Sequence, residues 1–197
     1  MKQNINMTDF SEPFILSDKN RLQEIYNLRY DSLRDHECAN NFDIELISDI
    51  NSHIETLDET GIHFIIQNNI NNEIAATYRL NILDTIDQLP YPGIFKPFPL
   101  PKQTPFLFYS RLVVSKKYRN NNLATKLQSK LCSFHIEKDI PFGIGTVHHL
   151  VNWLQKWGFD ILGDINPQLD KNYHYGDSRA VIIHRNKIKL FNKTDTK

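Results

Sequence analysis

The sequence predicts an α/β fold in one domain, with strands and helices sharing a core. Three observations carry this. Residues 106–130, FLFYSRLVVSKKYRNNNLATKLQSK, open as an aromatic and β-branched run, break at a basic Asn-rich turn, and resume with Leu123, Leu127 and Leu131 four apart. The runs His63–Gln67 and Ile74–Leu80 flank Asn68–Asn72, a hairpin pattern that uses Asn where Gly is commoner. Leu22, Ile25, Tyr26 and Leu33 fall on overlapping faces of a helix. At 197 residues, with no repeat or linker, one unit can bury a good core.

From the N-terminus, residues 1–16 lack a clear period and read as a loose lead-in from which Phe10, Phe14 and Ile15 can pack onto the body. Ser17 or Asp18 can cap the first helix, and Arg29 falls beside its apolar stripe. Residues 36–60 mix acids and polar groups, including Glu37, Asp43, Glu45, Asp49, Glu55, Asp58 and Glu59. After the hairpin, residues 84–105 hold Pro90, Pro92, Pro97, Pro99, Pro101 and Pro105, too many for a regular element. Tyr91, Phe95 and Phe98 make this loop sticky: it either walls a tunnel for an apolar chain or packs on the core.

The strand Phe106–Val114 leads into the basic turn. A helix start leaves backbone N–H groups unpaired at the positive end of the macrodipole, and both features favour an anion. Asn tolerates the left-handed conformation, so Asn120, Asn121 and Asn122 can bend around a diphosphate. An ordinary strand, solvated turn and helix fits the same spacing. Ile140–Val147 reads as the next strand, with Gly143 and Gly145 permitting close backbone approach. His148–Trp157 reads as a short helix stopped at Gly158, residues 173–185 supply one or two last strands, and the tail beyond Lys187 frays.

Lys and Arg number 23, as do Asp and Glu, so nothing pulls the whole chain toward nucleic acid or a membrane. Lys116, Lys117, Arg119, Lys126 and Lys130 form a local patch suited to phosphates or an acidic protein surface, or simply a solvated helix face. Cys38 and Cys132 lie far apart outside any CxxC spacing, which fits a reducing compartment. No signal-peptide core or membrane-length apolar run is present, so a cytoplasmic location and no membrane span are expected. No Gly-x-Ser-x-Gly occurs, and His148-His149 lacks the i, i+4 spacing of a two-His motif, so neither a nucleophile elbow nor a metal is expected.

Arg119-x-x-Asn122-x-Ala124 resembles the acyl-CoA-binding motif of the GNAT acyltransferase superfamily, with Asn122 at a position where that family prefers Gly. Other segments follow in the family's order from about residue 18 to about residue 185. Leu22–Leu33 resembles the first helix of the branch of autoinducer (acyl-homoserine lactone) synthases and N-acyl amino acid synthases. His63–Leu80 resembles its hairpin ending in Arg-Leu, and Ser110-Arg111-Leu112-Val113-Val114 its Ser-Arg strand. Trp157-Gly158-Phe159 is similar to the Gly-Phe closing the last GNAT helix, and Tyr175-Gly176-Asp177-Ser178-Arg179 to a late Gly-x-Arg element.

The resemblance implies a central mixed, mostly antiparallel sheet flanked by helices, splayed where an acyl-pantetheine arm inserts. It implies N-acyl transfer from an acyl-CoA or acyl-ACP (acyl carrier protein) thioester to a small amine such as an amino acid, without a metal. An acetyl-CoA-dependent N-acetyltransferase and a non-catalytic CoA- or carrier-binding module are the alternatives. The donor would lie on Val113, Val114, Arg119, Asn120, Asn121, Asn122, Leu123 and Ala124, with a bulge in Ser110–Val114 freeing N–H groups for the thioester carbonyl. The acceptor would meet Arg29, Asp49, Asp58, Arg79 and Arg111. Proton transfer departs from the pattern: a Tyr position holds Leu154 and a Glu position holds Phe108. His148 and His149 are the candidate bases, Tyr109 a candidate acid, and Ser110 completes the catalytic set.

Overall fold

The computed structural model describes residues 9–34 and 49–190. Their strands form one seven-stranded sheet. The elements are β1 (Phe14–Ile15), α1 (Leu22–Arg34), α2 (Leu57–Thr60), β2 (Ile62–Gln67), β3 (Ile74–Leu83), β4 (Phe106–Val114), α3 (Leu123–Glu137), β5 (Phe142–Val147), α4 (Val151–Lys156), β6 (Asp160–Asp164) and β7 (Arg179–His184). The spatial order is β1-β2-β3-β4-β5-β7-β6, and β4 with β5 is the parallel pair in an otherwise antiparallel sheet.

Two irregularities at the centre of the sheet shape everything that follows. The β4–β5 ladder runs from Leu107 opposite Gly143 to Tyr109 opposite Gly145. Beyond it β4 continues to Val114 without β5, so the strands part. Against β3, Thr77 faces Val113 while Arg79 faces Ser110, so Arg111 and Leu112 stand opposite Tyr78 alone. This is a β-bulge, which leaves a residue outside the ladder and re-aims the strand. Arg111 takes φ 63° there.

Each face of the sheet has its own cover. Leu123, Leu127 and Leu131 of α3, with Leu154 and Trp157, pack on Phe64, Tyr78, Leu80, Tyr109 and Ile183. On the other side Tyr91, Ile94 and Phe95 of the Pro-rich segment pack on Phe106, Phe108, Phe142 and Ile144, while Ile25 of α1 meets Ile65 and Ile74. The sticky loop is therefore core cover, because its aromatics are spent on that face. The Asn-rich hairpin closes as its composition predicts, with Asn72 at φ 60° and Asn68 Oδ1 accepting the Ile70 N–H at 2.8 Å.

Other boundaries differ from the sequence reading. The lead-in forms β1 at the sheet edge, where Phe14 and Ile15 stay exposed and Phe10 is buried. Edge strand β6, Asp-Ile-Leu-Gly-Asp, has no clear sequence signal, because acids at both ends and a Gly obscure its alternation. Helix α4 begins at Val151, which leaves His148 and His149 in the preceding turn. Gly158 closes it at φ 102°, where a Cβ would sit 2.0 Å from the Lys187 carbonyl oxygen. Glu37, Asp43, Glu45 and Cys38 lie outside the described residues.

Candidate active site

The turn between β4 and α3 adopts a geometry that ordinary residues avoid. Asn120 and Asn122 both sit in the left-handed region, at φ 69° and 55°. Asn121 Nδ2 donates to the carbonyls of Tyr118 and Arg119 at 3.0 and 3.2 Å, which closes the loop. Asn122 is the N-cap of α3 yet its side chain makes no capping hydrogen bond, so the first-turn N–H groups from Leu123 onward have no side-chain cap. Leu123 itself is buried in the core and can offer only its backbone. Arg119 stands exposed beside this helix start. The basic patch is partly consumed, since Lys117 pairs with Glu73 and Lys126 with Glu12.

Below the bulge lies a buried network of ions. Arg29 Nη1 and Nη2 donate to Asp58 Oδ2 and Oδ1 at 2.9 and 2.8 Å, and Nη1 also reaches the His53 carbonyl at 3.1 Å. Arg79 donates to Asp58 Oδ1 at 2.7 Å, to Glu55 Oε2 at 2.6 Å and, through Nε, to Ser110 Oγ at 3.0 Å. Arg111 donates to both Glu55 oxygens and lies 4.6 Å above the Tyr175 ring. The three guanidiniums outnumber the two carboxylates, Glu55 and Asp58, by one positive charge. Burial pushes the His63 imidazole pKa down, so it adds no charge near neutrality.

The carboxylates stay ionised for a clear reason. Burial would raise the Glu55 pKa, but Arg111 and Arg79 outweigh it and hold it at about 2. Burial acts on Asp58 in the same way, and the hydrogen bonds and charge of Arg29, with the charge of Arg79, hold it well below the usual carboxylate range. Buried charges survive only when paired this completely. Arg29 Nε, by contrast, is buried without a hydrogen-bond partner.

One cavity of about 400 Å³ joins the two features. Its wall includes Arg29, Ser32 and His53 below, Arg111 to Val114 along the freed half of β4, and Arg119, Ala124 and Leu150 at the helix start. Cationic groups stand at both ends, with an apolar strand between them. The uncapped helix start beside Arg119 is a place that favours an anion, and past Tyr109 the side of β4 that faced β5 has no ladder partner. Beyond the Arg111–Glu55 pair a second cavity, about 480 Å³, is lined by Glu55, Leu57, Tyr91, His174 and Tyr175.

The structure brings together Arg29, Asp58, Arg79, Ser110 and Arg111 in the network, and Arg111, Val113, Val114, Arg119 and Ala124 on the cavity wall. Other expected residues stand elsewhere. Asp49 caps the turn Ile50–His53 by accepting the Asn51 N–H at 2.9 Å. Tyr109 is in the sheet core; its hydroxyl lies 2.8 Å from His135 Nδ1, while His135 Nε2 lies 3.0 Å from the Ile140 carbonyl. That carbonyl can only accept, so Nε2 carries the proton and the Tyr109 hydroxyl donates to Nδ1, which fits a structural role and not a proton donor to a ligand. His148 and His149 line a different cavity with Asp164, Asp177 and Arg179, and His148 Nδ1 donates to the Asp177 carbonyl.

The acceptor residues expected from the sequence include Asp49 and Asp58 but not Glu55, His53 or Tyr175, of which Glu55 and Tyr175 meet Arg111. The signal for Glu55 was its spacing: three residues before Asp58, it shares a turn in which Glu55 N–H donates to Asp58 Oδ2 at 3.0 Å. Nothing local marked His53, whose place depends on how α1 and β4 pack. No group of three or more His, Cys, Asp or Glu side chains able to hold a metal ion occurs among the described residues. Nor is any described helix long and apolar enough to cross a membrane.

No protein-family model and no curated protein matches this sequence. Solved structures do match. FeeM, an N-acyl amino acid synthase from uncultured soil microbes, superposes with a TM-score of 0.65 at 12% identity over 90% of this chain and 92% of its own. A GNAT family acetyltransferase from Elizabethkingia anophelis, solved with acetyl-CoA bound, gives 0.53 at 12% identity over 89% and 98%. The ribosomal-protein-S18-alanine N-acetyltransferase from Escherichia coli gives 0.55 at 12% identity over 92% and 97%. At these identities the likeness establishes the architecture, and this chain has the GNAT acyltransferase fold.

Proposed function

We propose that this protein is an N-acyltransferase that moves an acyl group from a CoA-type thioester to a small amine, with an amino acid as the acceptor. One observation carries the reading: a single cavity runs from the uncapped helix start, past the bulged strand, to the guanidiniums of Arg29 and Arg111. The donor diphosphate would rest on the N–H groups of α3 beside Arg119, and its pantetheine arm would lie along Arg111–Val114 where β4 has left β5. N–H groups released by the bulge would meet the thioester carbonyl and stabilise the oxyanion that develops there. The excess positive charge and the unpartnered Arg29 Nε would attract an acceptor carboxylate and set its amine toward the thioester carbon. FeeM and the acetyl-CoA-bound enzyme are relatives in fold that support a thioester donor and an amine acceptor.

A second reading, a module that binds the donor without turnover, is favoured by Phe108 and Leu154, both buried in the core at positions where the resembling enzymes carry an acid or base. Thermal shift and free-thiol release, measured with acetyl-, octanoyl- and palmitoyl-CoA and with octanoyl carrier protein, separate these. Stabilisation and amine-dependent thiol release support transfer, and the best donor names chain length and carrier. Stabilisation without release supports the binding module.

A further inference from the structure

The left-handed turn before α3 closes on a carbonyl. Asn121 Nδ2 donates to the Tyr118 carbonyl oxygen at 3.0 Å, between Asn120 and Asn122 at φ 69° and 55°. A left-handed backbone costs free energy at any residue with a Cβ, so the turn keeps its shape only while that acceptor stays in place. Tyr118 is fixed through its side chain. It is 5% exposed, and its ring meets Phe10 edge-on at 5.3 Å between centroids. Its hydroxyl donates to Glu73 Oε2 at 3.0 Å and accepts from Asn68 Nδ2 at 3.1 Å, which uses a phenol's donor and one acceptor site.

Both partners belong to the Asn-rich hairpin between β2 and β3, 45 and 50 residues earlier in the chain. The hairpin tip is closed by the Asn68 N–H donating to the Glu73 carbonyl at 2.9 Å, and Asn71 Nδ2 donates to Glu73 Oε2 at 3.0 Å. Lys117 pairs with the same carboxylate, and the Ser115 N–H donates to the Ala75 carbonyl at 2.9 Å. The hairpin and the start of β3 thus hold Ser115, Lys117 and Tyr118 in place. We propose that Tyr118 is a positioning residue of the donor site: its phenol passes the rigidity of the hairpin to the turn that receives the donor's diphosphate. The assignment rests on the acyl-transfer reading, in which that diphosphate lies on α3 beside Arg119, the next residue in the chain and part of the cavity wall. Electrostatics alone gives Glu73 the opposite role. A carboxylate near an anion site repels the anion, and removing it leaves Lys117 unneutralised, so binding should tighten. The two roles predict opposite signs for one substitution.

The test uses the full chain with Tyr118→Phe, Glu73→Met and, as a charge control, Glu12→Gln, which frees Lys126 and leaves the Tyr118–Glu73 hydrogen bond intact. Calorimetric titration with coenzyme A, well below each melting midpoint, should show Kd raised about 3–10-fold in Tyr118→Phe and in Glu73→Met, as when a lost hydrogen bond makes the binding-competent turn a minority form. Glu12→Gln should leave Kd unchanged or lower it. The double variant Tyr118→Phe with Glu73→Met should fall short of the product of the single effects, because both substitutions break one hydrogen bond. With an acyl-CoA and an amine, the donor's KM should rise while kcat at saturation stays near that of the unmodified protein. Tighter CoA binding by a folded Glu73→Met protein overturns the proposal, as does unchanged affinity in Tyr118→Phe. An unmodified protein that binds no CoA overturns the donor-site reading and the role of Tyr118 with it. One that binds CoA but releases no thiol contradicts transfer alone, and the Kd comparison still decides for Tyr118.

Discussion

Arg29 of the first helix and Asp58 meet in a two-point ion pair, 2.9 and 2.8 Å long, with side chains only 2% and 0% exposed. The pair fastens α1 to the segment before β2, beside the half of β4 that has left β5. It thus links the stability of the fold to the shape of the cavity.

Asp58→Asn should be costly, because it leaves Arg29 and Arg79 facing one another without their shared carboxylate. Removing one member of a buried pair costs about 3–5 kcal/mol, which urea unfolding would register as a lower midpoint. A loss below about 1 kcal/mol, the value of an exposed pair, would contradict this account of the network.

Acid should weaken the protein in two stages. Burial lowers the His135 pKa to about 4, against about 6.5 in an unfolded chain. A pKa depressed on folding gives stability that is complete above the unfolded value and is lost as pH falls through the folded one. His135 therefore accounts for a loss of about 3 kcal/mol between about pH 6.5 and about pH 4. The second stage belongs to Glu55 and Asp58, whose depressed pKa values remove stability from about pH 4.5 downward, with Glu55 complete near pH 2. Melting temperature against pH, compared with His135→Gln, should show the upper stage shrink in the variant. An unchanged upper stage would reject the assignment.

Asn122 holds φ 55° at the start of α3. Asn122→Gly should leave stability within about 0.5 kcal/mol and keep donor binding, whereas Asn122→Val should lose about 1–2 kcal/mol because a β-branched residue is strained there. Calorimetric titration with CoA and thermal melts read both effects. Equal behaviour of the two variants would mean that the left-handed turn does not matter.

A Cβ on Gly145 would lie 2.8 Å from the Tyr109 carbonyl oxygen, at the last rung before β4 and β5 part. Gly145→Ala should therefore push the strands apart, destabilise by about 1–3 kcal/mol and weaken donor binding. A raised melting temperature, as from the usual entropy gain of Gly→Ala, would show that the rung has room.

Much of the scaffold was legible because its signals are local. The strand Phe106–Val114 and the helix from Leu123 were readable from side-chain type and spacing, and the Asn residues marked the left-handed turn between them. The site was less legible because it is assembled from distant segments. Arg29, Asp58, Arg79 and Arg111 are named individually, and the bulge that the resemblance implies within Ser110–Val114 is present, but the packing of α1 on the sheet that brings them together is not visible in the residue order. Asp49 illustrates the limit: beside Asn51 it caps its own turn, so its carboxylate is consumed locally. Tyr109 shows another, because strand alternation could not say which of its two faces turned toward α3.

The most direct test of the transfer account is a mass-spectrometric inventory after incubating the purified protein with octanoyl-CoA and the pooled amino acids. The account requires N-octanoyl amino acid and free CoA in equal amounts, and both should fall together in Arg111→Ala. Free CoA with no amide, or no turnover with any acyl donor, would contradict it.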